Sequence, residues 1–166
     1  MVMKFFIRAR GQNLLITQAK MRKIVREIAT TDKRFADVIE KSELCDIGTA
    51  NPERSHFESL VSSVISQQLA TAAAQTIKSR FALECGKITP KNVNKMELDQ
   101  LRAAGLSGAK AKTIQGLANA ALEKRVDFKN LHEQPDEEVY QDLTQLWGIG
   151  PWTVDMFMMF QLGRLD

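Results

Sequence analysis

The sequence predicts an all-α fold, and three observations carry that prediction. Apolar residues recur at i, i+3, i+4 and i+7 in one segment after another, the spacing that lines one face of a helix. Ser, Thr or Pro opens these segments and glycine closes several of them, which suits the unpaired donors of a helix N-terminus and the left-handed backbone after a C-terminus. Beyond residue 16 nothing reads as a strand. At 166 residues, 44% apolar and 26% charged, the chain is long enough for one well-cored domain or two small lobes.

Taken in order, "KFFIRARGQNLLI" at residues 4–16 reads either as a short hairpin about Gly11 or as an extended leader, so residues 1–16 are set apart from a domain over 17–166. Residues 1–34 hold nine Lys and Arg against Glu27 and Asp32, a local charge of +7, while the remainder carries −4. That basic segment fits a solvated helix face and a nucleic-acid arm equally well. "SHFESLVSSVISQQLA" is an amphipathic helix with Phe57, Leu60, Val61, Val64 and Ile65 on one face and Ser55 with Glu58 as a capping box. A helix rich in small residues follows over Ala70–Phe81. Thr89-Pro90 starts another, Leu98–Ala104 ends at Gly105, and Ser107 caps a helix with Ile114, Leu117, Ala118, Ala121 and Leu122 inward. "QPDEEVYQDLTQLW" opens on Pro135 and three carboxylates that suit a helix dipole, with Val139, Leu143, Leu146 and Trp147 as its buried side.

Then comes "LWGIGPWTVDMF". Gly148 stands where a helix C-terminus wants positive φ, and Pro151 opens the next helix three residues later. The product is a helix, a tight hairpin and a helix. Two glycines strip side chains from the turn, so the N–H groups of Gly148, Gly150 and the next helix's first turn can meet a phosphate oxygen without any Lys or Arg. Such contacts position a protein on DNA without reading its sequence, and they fit the negative charge of the later part.

Other classes are excluded by composition. No apolar run is long enough to span a bilayer and Met1–Lys20 lacks a signal-peptide core, so the expected location is cytoplasmic. Cys45, Cys85, His56 and His132 have no metal-site spacing, and no metal site is predicted.

Three co-linear motifs make the resemblance specific. "LWGIGPWTVDMF" resembles the helix-hairpin-helix signature of the DNA glycosylase superfamily, "FESLVSSVISQQLATAAAQTI" its early helix pair, and "LRAAGLSGAKAKTIQGLA" its intermediate segment, together spanning about residues 30–166. The likeness is to the 3-methyladenine DNA glycosylase II (AlkA-like) branch. It implies an all-helical fold of two lobes about a DNA-facing cleft, and a base-excision repair enzyme that flips an alkylated purine such as 3-methyladenine out of duplex DNA and hydrolyses its N-glycosidic bond. The alternative is a non-catalytic DNA-binding helix-hairpin-helix module.

Residue by residue, the resemblance puts Gly148, Ile149, Gly150 and Thr153 at the DNA backbone. Gln67, Gln68 and Leu69 form the wedge region, and Trp152 with Met156 the base pocket. Strand-cutting relatives carry a lysine at the position of Trp152, so an indole there implies a monofunctional enzyme that uses water. Its face suits a cationic alkylated purine. Trp152, Met156, Met159 and Phe160 also have the spacing of a core stripe. The family's catalytic aspartate follows the helix after the hairpin, farther from Gly148 than this chain extends; Asp155 is too early, and Asp166 is the candidate within the chain. The expectation is therefore a chain that stops before its catalytic carboxylate and closing helices, with the apolar faces at Ile24, Val25 and Ile28 and at Phe157 and Phe160 lacking part of their cover and self-association covering them. No cofactor is required, and a monovalent cation at the hairpin is an accessory.

Overall fold

In the computed structural model, residues 17–47 and 53–164 are described. They form α1 (Gln18–Thr31), a 3-10 turn (Lys33–Phe35), α2 (Ala36–Lys41), α3 (His56–Ser66), α4 (Thr71–Cys85) and α5 (Pro90–Asn94). These are followed by α6 (Leu98–Ala103), α7 (Gly108–Leu122), α8 (Asp136–Thr144) and α9 (Pro151–Phe160). No strand occurs among the described residues, as the all-α prediction requires. The 4–16 hairpin or leader lies outside them.

Helix starts follow the local chemistry. The Ser55, Thr89 and Ser107 hydroxyls accept from the N–H groups of Glu58, Asn92 and Lys110, each satisfying a donor the helix itself leaves unpaired. A further reciprocal cap joins Glu97 and Gln100 ahead of α6. The core gathers around α3 and α7. All five stripe residues of α3 are buried, as are Ile114, Leu117 and Ala118 of α7, and α5, α6 and α9 close over them. Such burial contributes roughly 1.5–3 kcal/mol per large aliphatic side chain.

Three expectations of burial are corrected. Trp147 is 53% exposed, because α8 ends at Thr144 and the helical period stops before it: Leu146 turns inward, while Trp147 turns out and carries the Lys112 ammonium over its ring at 4.5 Å. Leu122, at the last turn of α7, is half exposed for the same reason. Phe157, expected to lack cover, is fully buried in the core. By contrast α1, the 3-10 turn and α2 bury no residue, and Ile28, Phe35 and Val38 on them are about half exposed.

The chain after α9 is pinned. Arg164, almost fully buried, pairs with the Asp136 carboxylate at the start of α8 and donates to the carbonyls of Leu131 (3.1 Å) and Gln134 (2.7 Å). Beside it the His56 and His132 rings meet nitrogen to nitrogen at 3.3 Å. Burial first, and then electrostatic repulsion from the neighbouring His132 and Arg164, hold His56 below the ordinary histidine range.

Candidate nucleic-acid interface

The hairpin between α8 and α9 is built by two glycines that do different work. Gly148 has φ +81°, and a Cβ there would lie 2.1 Å from the Thr113 hydroxyl on α7, so both backbone and packing require glycine. Gly150 caps α9 with ordinary extended backbone, and a Cβ on it would meet open space. Its missing side chain keeps the outer surface of the turn clear. The N–H of Ile149 is spent on the Leu146 carbonyl and that of Thr153 on the Gly150 carbonyl. Among the described residues the N–H groups of Gly148, Gly150 and Trp152 have no protein acceptor, and the last two stand at the positive N-terminal end of α9. Ile149 and Thr153, expected at the DNA backbone, are buried, and their side chains pack the hairpin from inside.

Facing the hairpin is the turn from α3 to α4. Gln68 adopts φ +55°, a left-handed conformation uncommon for a residue with a side chain. Two contacts support it. The Lys110 ammonium on α7 donates to the carbonyls of Ile65 and Gln67, each at 2.8 Å, and takes up the free C-terminal acceptors of α3. Gln67 reaches across to the hairpin, donating to Thr153 Oγ1 at 3.2 Å with a longer contact of 3.5 Å to the Gly148 carbonyl. Gln67 is thereby a brace between turn and hairpin. Gln68 and the partly exposed Leu69 stand at the apex of the turn. Burial holds Lys110 below the usual lysine range.

Between turn and hairpin opens a cleft of about 260 Å³. Trp152, Met156 and Phe160 of α9 line one wall; Ser62, Ser63 and Ser66 of α3 with Lys78 of α4 line the other. Trp152 is 67% exposed and Phe160 54%, whereas Val154 and Phe157 carry the core face of α9. The core-stripe alternative for Trp152 and Phe160 is thus overturned: α9 turns a second apolar face outward, which is why its periodicity was ambiguous. Lys110, Thr113, Lys78 and the three serines went unnoticed in the sequence, because each acts from a different helix and none has local spacing to mark it. Asp166 lies outside the described residues. Among those described, no cluster of three His, Cys, Asp or Glu is placed to hold a metal, and no helix is long and apolar enough to cross a membrane.

A helical body that sets a glycine hairpin with free main-chain donors beside an aromatic cleft is the build of a protein that grips a DNA backbone and handles a base. The chain belongs to the HhH-GPD superfamily of base excision DNA repair proteins, whose family model matches residues 61–158. It is 29% identical over 146 residues to the alkylbase DNA glycosidase-like protein mag2 of Schizosaccharomyces pombe, covering 85% of this chain and 68% of that protein. To DNA-3-methyladenine glycosylase 1 of the same yeast it is 35% identical over 129 residues, 72% of this chain and 57% of the relative. Among solved structures it is similar to a DNA-3-methyladenine glycosidase from Bacillus halodurans, with TM-score 0.69, 33% identity, and 91% of this chain and 66% of that one covered. It is likewise similar to a Schizosaccharomyces pombe 3-methyladenine DNA glycosylase solved in complex with abasic DNA, with TM-score 0.71, 27% identity, and 87% and 72% covered. The chain spans between 57% and 72% of the length of these four proteins.

Proposed function

We propose that this protein is a monofunctional DNA glycosylase of base excision repair, which flips an alkylated purine from duplex DNA into the cleft and hydrolyses its N-glycosidic bond. The observation that carries this reading is the exposed face of Trp152 in a cleft bounded by a glycine hairpin on one side and a braced, left-handed turn on the other. In this scheme the N–H groups of Gly148, Gly150 and Trp152 hold a phosphate, and Gln68 or Leu69 fills the gap left in the stack. Gln67, committed to the hairpin, positions them. A flipped base stacks on Trp152, with Met156 and Phe160 completing an apolar wall. Bond cleavage generates positive charge on the sugar, which a carboxylate stabilises while water attacks; Asp166 is the candidate for that role within the chain. A monovalent cation at the hairpin carbonyls would be an accessory to phosphate binding. Damaged duplex DNA is the proposed partner, and the half-exposed Ile28, Phe35 and Val38 support self-association through the N-terminal helices.

One observation favours a second reading, a non-catalytic DNA-binding module: no carboxylate lines the cleft among the described residues. Base release and binding separate the two. A glycosylase frees the base from alkylated duplex, and Trp152→Ala weakens binding to flipped-base analogues by about 1–3 kcal/mol while leaving undamaged duplex unchanged. Lesion-selective binding without base release by the full chain would favour the module. Equal loss on both duplexes would remove Trp152 from the base pocket.

A further inference from the structure

We propose that the Lys112 ammonium, held over the exposed ring of Trp147, takes the DNA phosphate next to the one bound by the hairpin N–H groups. The inference rests on the DNA-gripping part of the reading above, and it adds a charged contact to a hairpin that otherwise offers only main-chain donors.

α7 runs beneath the hairpin. Thr113 lies directly under Gly148, so its neighbour Lys112 emerges at the edge of the turn. Trp147 immediately precedes Gly148, whose N–H has no protein acceptor among the described residues. The Lys112 ammonium stands 4.5 Å from the centroid of the Trp147 ring, and that residue is 53% exposed. Lys110, two residues earlier and about 200° around the same helix, turns the other way to the carbonyls of Ile65 and Gln67. One helix thus serves both turns.

The contact with the indole holds the charge without using it up. A cation over an aromatic face is attracted by the ring as a whole, so none of the ammonium's three N–H donors is spent on an acceptor. No Asp or Glu occurs in α7, and among the described residues no carboxylate lies within ion-pair distance of Lys112. A lysine in an ion pair would have to leave its partner before meeting a phosphate, and Lys112 has no such partner to leave. The ring also restricts a long, flexible side chain before DNA arrives, which lowers the entropy lost on binding. Because the chain beyond residue 34 carries a net −4, a fixed positive charge at this edge opposes the surrounding negative potential where the hairpin meets DNA. A lysine stem that merely covers an exposed indole would show the same 4.5 Å contact, but it would leave the salt dependence of DNA binding untouched.

Fluorescence anisotropy of the full chain tests this with two labelled duplexes, one undamaged and one carrying a tetrahydrofuran abasic site, at salt concentrations from about 50 to 200 mM. Lys112→Met keeps an apolar stem on the indole and deletes the charge. It should weaken binding to both duplexes alike, by about fivefold at the lowest salt, and reduce the slope of log affinity against log salt by about 0.9, the value for one phosphate contact. Lys112→Arg should retain the original slope. Lys124→Met removes the same charge just past the far end of α7 and should leave the slope unchanged. Circular dichroism checks the fold of each variant. An unchanged slope in Lys112→Met overturns the proposal, as does a loss confined to the abasic duplex. So does an equal fall in slope for Lys124→Met, which would trace the effect to net charge. If the unaltered protein binds neither duplex, the DNA-gripping reading itself fails.

Discussion

The two turns that face each other across the cleft solve the same problem by different means. In the proposed reading each presents a few atoms to DNA from a sharply bent backbone. The α8–α9 hairpin does so by deleting side chains: Gly148 accepts left-handed backbone against Thr113, and Gly150 leaves the outer surface bare. The α3–α4 turn keeps its side chains and holds a non-glycine residue, Gln68, at φ +55° with outside help from Lys110 and Gln67. A glycine turn is stable from its own composition, whereas a braced turn borrows its geometry from neighbouring helices. Main-chain donors suit phosphate, which is the same at every step of DNA, while a projecting side chain suits insertion into the base stack.

Breaking the hairpin at its tightest point should have the largest effect. Gly148→Ala combines left-handed backbone on a residue with a Cβ and a clash with Thr113, for about 3 kcal/mol lost in urea unfolding. Adding Thr113→Ala should return most of the packing part and leave the backbone part. If Gly148→Ala unfolds at the same midpoint as the original protein, the turn does not need its glycine.

Removing the brace should cost less and act on the other turn. Lys110→Met strips two charge-assisted hydrogen bonds from the end of α3, about 1.5 kcal/mol of stability. Binding to lesion-containing duplex should fall while binding to undamaged duplex is kept, since the hairpin is untouched. Uniform loss on both duplexes would mean that the two turns are not separable.

Gly150→Leu sharpens the contrast, because its effect on the fold should be smallest. With open space around its Cβ and ordinary φ, stability should stay within about 0.5 kcal/mol. Affinity for every duplex should nonetheless drop by about tenfold, with the shallow salt dependence of a few phosphate contacts. An unchanged affinity would move the backbone contact away from the hairpin.

How much of this could be read in advance depends on whether the signal is local. Ser55, Thr89 and Ser107 act on donors three residues away, and each cap stands where the sequence places it. Gly148 and Pro151 likewise announce the hairpin, since their backbone preferences are their own. Trp147 and Trp152 were harder, because a helical period does not say where the helix stops or whether a second face is also apolar; both indoles are exposed. Ile149 and Thr153 belong to the motif yet face inward, since a motif names residues and leaves their direction open.

The sequence by itself determined the helical class, the starts of the main helices, the glycine hairpin and the family to which the chain belongs. Each of these rests on properties of single residues or on spacings within one turn of helix. Only the tertiary structure decided that Lys110 braces the turn from 43 to 45 residues away, that Gln67 is committed to the hairpin across 81 and 86, and that Lys78 shares a cleft with Trp152. These contacts join different helices. Their strength comes from distances set by the packing of the whole body, and no local preference of Lys110, Gln67 or Lys78 encodes them.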